Sequence, residues 1–393
     1  MVEAAPSPVL RRRAAGPLRV GVHRDIDEID AAEWDSLLSP EELQLSHRFV
    51  RLCQRSCVEE AEYRHLLVYQ AGRLCCVASL SRVDVPLDVL ASGTMRRVIE
   101  SVRRRFPGFL RAGLLFCGLP VSFGQPCLKV APWADAEAVG GLLAGVMRRV
   151  GRETRAHLLC LKEFDPVAAV AVEAVRDHGF FRAPSLPSCS LDLRWDSFSG
   201  YLREMTAGYR RQVRATLRAR DSAGLTFRRV ESFAAEGAVI HALYSQVIGR
   251  ARHRLETLNR AFIDRLDTDL GPRSHAIFLE RRGQPLAVAI MLDSDRLATF
   301  LLTGFEYGAD PRWQVYPNLV LEVVHDAIRS GASRLEMGQT SYPLKSRLGA
   351  VAVPRCLYLR HRNPLGHLLL RGASGALFPD YECPSRRVFR ESP

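Results

Sequence analysis

At 393 residues the chain exceeds the usual size of one domain, and 47% hydrophobic with 25% charged residues is the composition of a folded globular protein. That composition speaks against a disordered or fibrous chain, and no apolar run is long enough for a bilayer-spanning helix. The formal net charge of +12 is carried almost wholly by arginine, since Lys129, Lys162 and Lys345 are the only lysines.

In chain order, residues 1–17 carry Arg11-Arg12-Arg13 with no apolar core behind them and read as a disordered basic leader rather than a secretory signal. Leu18–His23 predicts a strand. Asp30–Leu38 and Glu41–Glu60 predict helices, the first capped by Asp30. Arg64–Gln70 and Leu74–Arg82 flank the turn Ala71-Gly72-Arg73 as a hairpin. Strands follow at Gly113–Cys117 and Cys127–Val130, then a helix at Ala134–Thr154 with apolar residues at helical spacing. A strand (His157–Leu161), a helix (Pro166–His178) and a closing strand (Cys189–Leu193) complete this half.

The second half runs helix (Phe198–Arg220), strand (Leu225–Val230), helices (Ala234–Arg254 and Asn259–Leu270) and a hairpin (Ser274–Glu280 with Pro285–Asp293). Strand (Leu297–Phe305), loop (Glu306–Tyr316), helix (Pro317–Ser330), strand (Arg334–Gly338), a polar loop from Gln339 to Gly349 and a strand (Cys356–Arg360) follow. Both halves thus read helix, helix, hairpin, strand, helix, strand, the order expected from duplication of one α/β unit. The expected fold class is α/β with mixed sheets in two tandem domains, 18–195 and 196–365, joined near Trp195-Asp196. Residues 366–393, rich in Gly, Pro, Ser and Arg, read as a loosely packed tail.

Ten cysteines are scattered without paired zinc-like spacing and read as reduced core thiols of a cytoplasmic protein, with no metal. Charge is not evenly spread. Residues 200–260 hold twelve arginines against five acids, and residues 355–393 hold seven against three. Such clustering suits an anionic partner such as a nucleotide-bearing cofactor, a tRNA or an acidic carrier protein, as well as a simple solvated face.

The order strand, loop, helix, strand, then Tyr342-x-x-Lys345 and Gly349, resembles the end of the GNAT-superfamily acyltransferases, in the branch that holds the FemAB-like and BioF2-like domains. The aromatic-led segment Phe198–Tyr201 running into Tyr209-Arg210-Arg211-Gln212-Val213-Arg214 fits the same branch. The likeness covers residues 190–355 well and 18–190 weakly. It implies tandem GNAT-like domains and transfer of an acyl group from an activated donor to a small-molecule or peptide amine. The donor it implies is acyl-CoA or an acyl-carrier-protein thioester, with aminoacyl-tRNA as the FemAB-like alternative. The stretch Ala309–Tyr316 lacks the glycines of the usual coenzyme A loop, so few backbone N–H groups can curl round a pyrophosphate. An inactive, nucleic-acid-binding descendant is a further reading.

Acyl transfer to an amine needs a positioned donor, a stabilised oxyanion and a proton acceptor. No Gly-x-Ser-x-Gly elbow is present, so direct attack is expected. Glu306, at the end of an apolar strand, is the candidate base. Tyr316, with Tyr307 on the same loop, is a candidate to orient substrate or protonate the leaving group, and Tyr342 is a candidate site residue that holds a polar substrate group. Asn318, in the first turn of the helix led by Pro317, is placed to hold a phosphate or carbonyl. Lys345 is expected to grip an anion as a point charge and Arg347 as a fork. Arg210, Arg214 and Arg218 recur every four residues as a ridge, with Arg211 turned inward. The helix tip, Glu306 and the Lys345–Arg347 turn are expected to share one pocket.

Overall fold

The structure, a computed structural model, describes residues 16–86, 111–121, 124–166, 170–250 and 257–390. Residues 1–15 of the expected leader, and Arg252 and Arg254 of the basic region, lie outside them. The strands in chain order are β1 (Leu18–His23), β2 (Glu62–Gln70), β3 (Arg73–Pro86), β4 (Arg111–Cys117), β5 (Leu128–Val130), β6 (Leu158–Phe164) and β7 (Phe181–Asp192). They continue as β8 (Leu225–Val230), β9 (Ser274–Arg281), β10 (Gln284–Ser294), β11 (Leu297–Phe305), β12 (Arg334–Glu336) and β13 (Val351–His361). The α-helices are α1 (Ala31–Asp35), α2 (His47–Arg55), α3 (Ala136–Glu153), α4 (Val170–Glu173), α5 (Phe198–Glu204), α6 (Ala207–Ala223) and α7 (Gly237–Arg250). They end with α8 (Arg260–Leu270), α9 (Val315–Arg329), α10 (Tyr342–Arg347), α11 (Pro364–Gly372) and α12 (Ser374–Leu377).

All thirteen strands among the described residues form one sheet, β1-β2-β3-β4-β6-β13-β7-β12-β11-β10-β9-β8, with β5 on β3. Each half holds one parallel pair with a helix crossing over it: β4 beside β6 with α3 between them in sequence, and β11 beside β12 with α9. The last strand of each half is exchanged. β7 ends the first half but pairs with β12, while β13 ends the second half and pairs with β6; the two cross over by pairing with each other. The expected join at residue 195 falls just after β7, and the sheet continues through it. The hydrophobic core is shared as well, for Phe49 of α2 packs edge-on against Phe262 of α8 with ring centroids 6.4 Å apart.

Local signals explain most element ends. Asp30 caps α1 by accepting from Glu33 N at 2.8 Å, as the sequence leads one to expect. Where a helix was expected over 41–60, α2 covers only 47–55, because Ser46 caps it by accepting from Phe49 N and Glu42 is drawn off to Lys129 at 2.8 Å. The helix expected over 198–220 is broken at Met205, which turns extended (ψ 145). The tail causes the break. Thr206 N donates to Val388 O at 2.8 Å, and Met205 bridges Phe389. The end of the tail is therefore not loose. Val388 is buried, Phe389 lies 4.7 Å from the Trp195 ring, and a Cβ on Gly349 would meet it at 2.2 Å.

Candidate functional site

The second half opens where β11 and β12 part. They pair in parallel at three positions only, the last being Thr299 with Glu336. β11 then runs on to Phe305 against β10, while the chain after β12 stays with β7, Met337 N donating to Cys189 O at 2.8 Å. Six further residues of β11 reach roughly 20 Å beyond the last shared pair. Gly304 lets α7 close over this stretch, since a Cβ there would sit 2.3 Å from Tyr244 N. The result is a wedge whose edge on β11 has no strand partner past Thr299.

Tyr316 spans the wedge. Its ring stacks on Phe305 of one lip at 5.2 Å, and the Ser341 side chain of the other lip acts on its hydroxyl, favouring the ionised form. Burial pushes its pKa up. The second lip is tightly turned, with Gly338, Thr340 and Ser341 all at positive φ (66, 71 and 53). Tyr316 belongs to the first turn of α9. Gln314, at φ 49, is the N-cap residue, no side chain caps the helix, and no acid sits in its first turn. That leaves a positive helix end at the mouth of the wedge. Asn318 is buried and donates through Nδ2 to Trp313 O (3.0 Å) and Gln314 O (3.2 Å); its Oδ1 has no partner.

Residues Tyr342–Arg347 form the short helix α10 rather than the expected loop. Its side chains point to two different places. Lys345 is only 2% exposed, and its ammonium donates to Met337 O (2.6 Å), Gln339 O (3.1 Å) and Gly338 O (3.4 Å). Burial pulls its pKa down to about 8. Tyr342 donates to Pro187 O at 2.8 Å, and burial raises its pKa to about 12. Both side chains thus brace the second lip. Arg347 is exposed and lines a separate cavity of about 410 Å³ with Thr206, Gly208, Tyr209, Gln212 and Arg386. Glu306 is not among the walls of that cavity.

Glu306 follows Phe305 on the first lip. Its Oε2 accepts from Gln246 Nε2 at 2.8 Å and its Oε1 from Gly308 N at 3.0 Å. The Gln246 bond, then the Gly308 bond, lower its pKa. Arg250 lies 3.9 Å above the neighbouring Tyr307 ring. On the ridge of α6, Val213 and Thr216 face the core, so Arg211, Arg214 and Arg218 stand exposed. Arg211 therefore points outward, and Arg210 turns in, donating to Arg203 O (3.1 Å) and Met205 O (3.2 Å).

Gln246 and His275 escape a linear reading, whereas Glu336 is legible in it as a strand-end acid that binds acceptor or caps the sheet. Gln246 looks like any polar position of an amphipathic helix, yet it sets the Glu306 carboxylate. Glu336 is buried at the base of the wedge, its pKa raised by that burial and its Oε2 without a partner. His275, in a strand that reads as apolar, is fully buried between Asp326 Oδ2 of α9 (2.7 Å) and Asp293 Oδ2 of β10 (2.9 Å). Burial disfavours its cationic form, but the two carboxylates prevail and raise its pKa to about 9. Asp326 also pairs with Arg229 at 3.2 Å and with Arg329. This network pins α9, and with it Tyr316, to the sheet.

A family model for the acetyltransferase (GNAT) domain matches residues 207–346, which contain the wedge and α9. Over 276 residues the chain is 26% identical to the "Putative 8-amino-7-oxononanoate synthase 2" of Mycobacterium tuberculosis, covering 68% of this chain and 35% of that protein. The chain thus spans about a third of the length of this curated relative. Among solved structures it is similar in fold to FemX (TM-score 0.55, 11% identity, 87% of this chain and 98% of that one). It also resembles a tandem GNAT protein from the clavulanic acid biosynthesis pathway (TM-score 0.53, 12% identity, 88% and 99%). A third likeness is to L-PGS from Bacillus licheniformis (TM-score 0.50, 9% identity, 89% and 96%). Among the described residues no helix is long and apolar enough to cross a membrane, and no group of three or more metal-ligating side chains is found.

Proposed function

We propose that this chain, a GNAT-superfamily protein of FemAB-like architecture with two tandem GNAT-like units, is an N-acyltransferase whose chemistry takes place in the β11–β12 wedge. The observation that carries this reading is Tyr316, whose ring packs on the first lip and whose hydroxyl is acted on by Ser341 of the second, at an uncapped helix end. An extended donor arm bearing amides can add to the unpaired edge of β11, as a peptide adds to a sheet edge. Its anionic end then meets the N-terminus of α9. That arm chemistry favours a thioester of coenzyme A or of an acyl carrier protein.

The acceptor amine attacks the donor carbonyl carbon, the new C–N bond forms, and the C–S bond breaks. Glu306 takes the amine proton, and Tyr316 gives one to the leaving thiolate. The hydrogen bonds from Gln246 and Gly308 keep Glu306 ionised but make it a weak base. Glu336 is a second candidate, because burial raises its basicity and leaves one oxygen open. Lys345 and Tyr342 hold the second lip in place. Aminoacyl-tRNA as donor is the second reading, supported by the exposed Arg211, Arg214 and Arg218 of α6, with Arg347 nearby.

Incubation with acetyl-CoA, longer acyl-CoAs, acyl carrier protein and charged tRNA, read by intact mass and isotope transfer, tests the donor. Transfer from a thioester that Tyr316→Phe abolishes is the expected result. Transfer from none of these donors would overturn the reading. Transfer from charged tRNA alone, falling steeply with salt, selects the second one. Glu306→Gln and Glu336→Gln, assayed across pH, decide between the two carboxylates: the base is the one whose variant loses both rate and the acidic limb.

A further inference from the structure

Helix α11 (Pro364–Gly372) carries an unusual outer surface. Leu365, Leu368 and Leu369 are 65%, 67% and 66% exposed, and their spacing of three and four places them on one face. The opposite face is half-buried against the sheet. His367 lies 5.6 Å from the Phe181 ring and accepts from His361 N, and Leu370 packs against the cluster of Cys160, Phe181, Ala183 and Leu359. The helix is well set, with Asn363 as its N-cap accepting from Gly366 N at 3.1 Å. Its orientation is therefore fixed by packing, and the three leucines are held outward.

Charge decides what covers them. From His361 to Pro379 the sequence holds Arg362, Arg371 and two histidines but no acid, and the acids that share a cavity with Arg371 and His367, namely Glu137, Glu173 and Asp177, line a space whose walls include none of the three leucines. Both arginines are exposed, one just before the cap and one in the last turn, and neither has a carboxylate partner among the described residues. A two-fold contact with a second copy would set this basic rim against itself. Leucines flanked by guanidinium groups on a short, surface-lying helix match instead the interface of an anionic bilayer, with acyl chains receiving the leucines and headgroup phosphates the arginines.

We propose that α11 docks the protein peripherally on anionic phospholipid membranes. The attachment is reversible, because three leucines and two arginines amount to a single weak anchor. It is independent of which acyl donor the wedge accepts.

The test is co-sedimentation of the full chain with vesicles of phosphatidylcholine alone and of phosphatidylcholine with about one third phosphatidylglycerol, at low and high salt. The expected result is partitioning onto the anionic vesicles about tenfold or more above the neutral ones. The triple variant Leu365→Ser, Leu368→Ser, Leu369→Ser is expected to lose it. The double variant Arg362→Gln, Arg371→Gln is expected to lose the preference for anionic lipid. Thermal melts followed by circular dichroism confirm that both variants fold. No partitioning of the natural protein, or partitioning that the triple variant retains, would overturn the proposal. So would a concentration-dependent dimer, seen by sedimentation equilibrium and split by the triple variant, in a protein that ignores vesicles.

Discussion

The two halves of the sheet hold the same device in two states. In the first half α3 begins at Asp135, whose carboxylate accepts from Ala138 N at 3.0 Å, and Glu137 sits in its first turn. The Asp135 carboxylate fills one of the free donor groups, and both acids repel an incoming anion. In the second half α9 has no capping side chain and no early acid, and it opens on the wedge. Buried histidines differ in the same sense. His65 on β2 is surrounded by neutral groups, Ser79 Oγ and Gln54 Oε1 each 2.9 Å away, and burial pulls its pKa down to about 3. His275 on β9 sits between two carboxylates, which raise its pKa to about 9. The lesson is that one scaffold serves as packing where its polar groups are internally satisfied, and as a candidate site where a helix end is left free.

Breaking the charged clamp gives the largest expected effect. His275→Ala leaves Asp326 and Asp293 buried without their cation, and removal of one partner of a buried pair costs about 3–5 kcal/mol. Urea denaturation measures it. The pH dependence sharpens the contrast between the histidines. His275 has a folded-state pKa above its unfolded value, so its contribution is complete below about 6.5, declines as pH rises, and is gone above about 9. His65 has a folded-state pKa below its unfolded value, so stability is lost as pH falls from about 6.5 toward 3. Lys345, with its lowered pKa, adds an opposite slope above about 8, so each histidine is read as the difference between the natural protein and its glutamine variant. A His275→Gln difference that is flat from pH 6 to 10 would refute the clamp.

Next in size is the wedge. Tyr316→Phe keeps the stack on Phe305 and removes the hydroxyl, and loss of a general acid lowers turnover by about a hundredfold or more. Unchanged turnover with the identified donor would remove Tyr316 from the chemistry. Lys345→Met strands three carbonyls, with an expected cost of about 1–3 kcal/mol by urea denaturation and a smaller loss of turnover. The smallest pair addresses the helix ends directly. Gln314→Asp gives α9 the acidic cap that α3 has, and KM for an anionic donor is expected to rise by about threefold to tenfold with kcat little changed. Asp135→Ala at the other end is expected to cost about 1 kcal/mol of stability and to leave KM alone. Equal effects of the two changes on KM would erase the distinction between the halves.

Much of this was legible along the chain. The alternating strand and helix patterns, the Asp30 cap, Pro317 in the first turn of a helix that follows a strand, and the repeated order of elements rest on contacts within a few residues. Of the residues they single out, Glu306 follows the end of β11, and Tyr316 and Asn318 belong to the first turn of α9. The outward turn of Arg211 was misjudged because a helix ridge depends on which neighbours take the core, and Val213 and Thr216 took it. The role of Gln246 was hidden because it meets Glu306 across 60 residues of sequence.

The sequence by itself determined a duplicated α/β chain, a basic balance of charge and a helix that starts close to Pro317 after an apolar strand, since period, turn chemistry and composition are local properties. Only the tertiary structure decided that the halves exchange their last strands, that Phe389 closes the gap between α5 and α6, and that Lys345 faces inward. Those outcomes join groups as far apart as Tyr342 and Pro187, 155 residues along the chain. Whether a cation meets solvent or a ring of carbonyls is fixed by what packs over it.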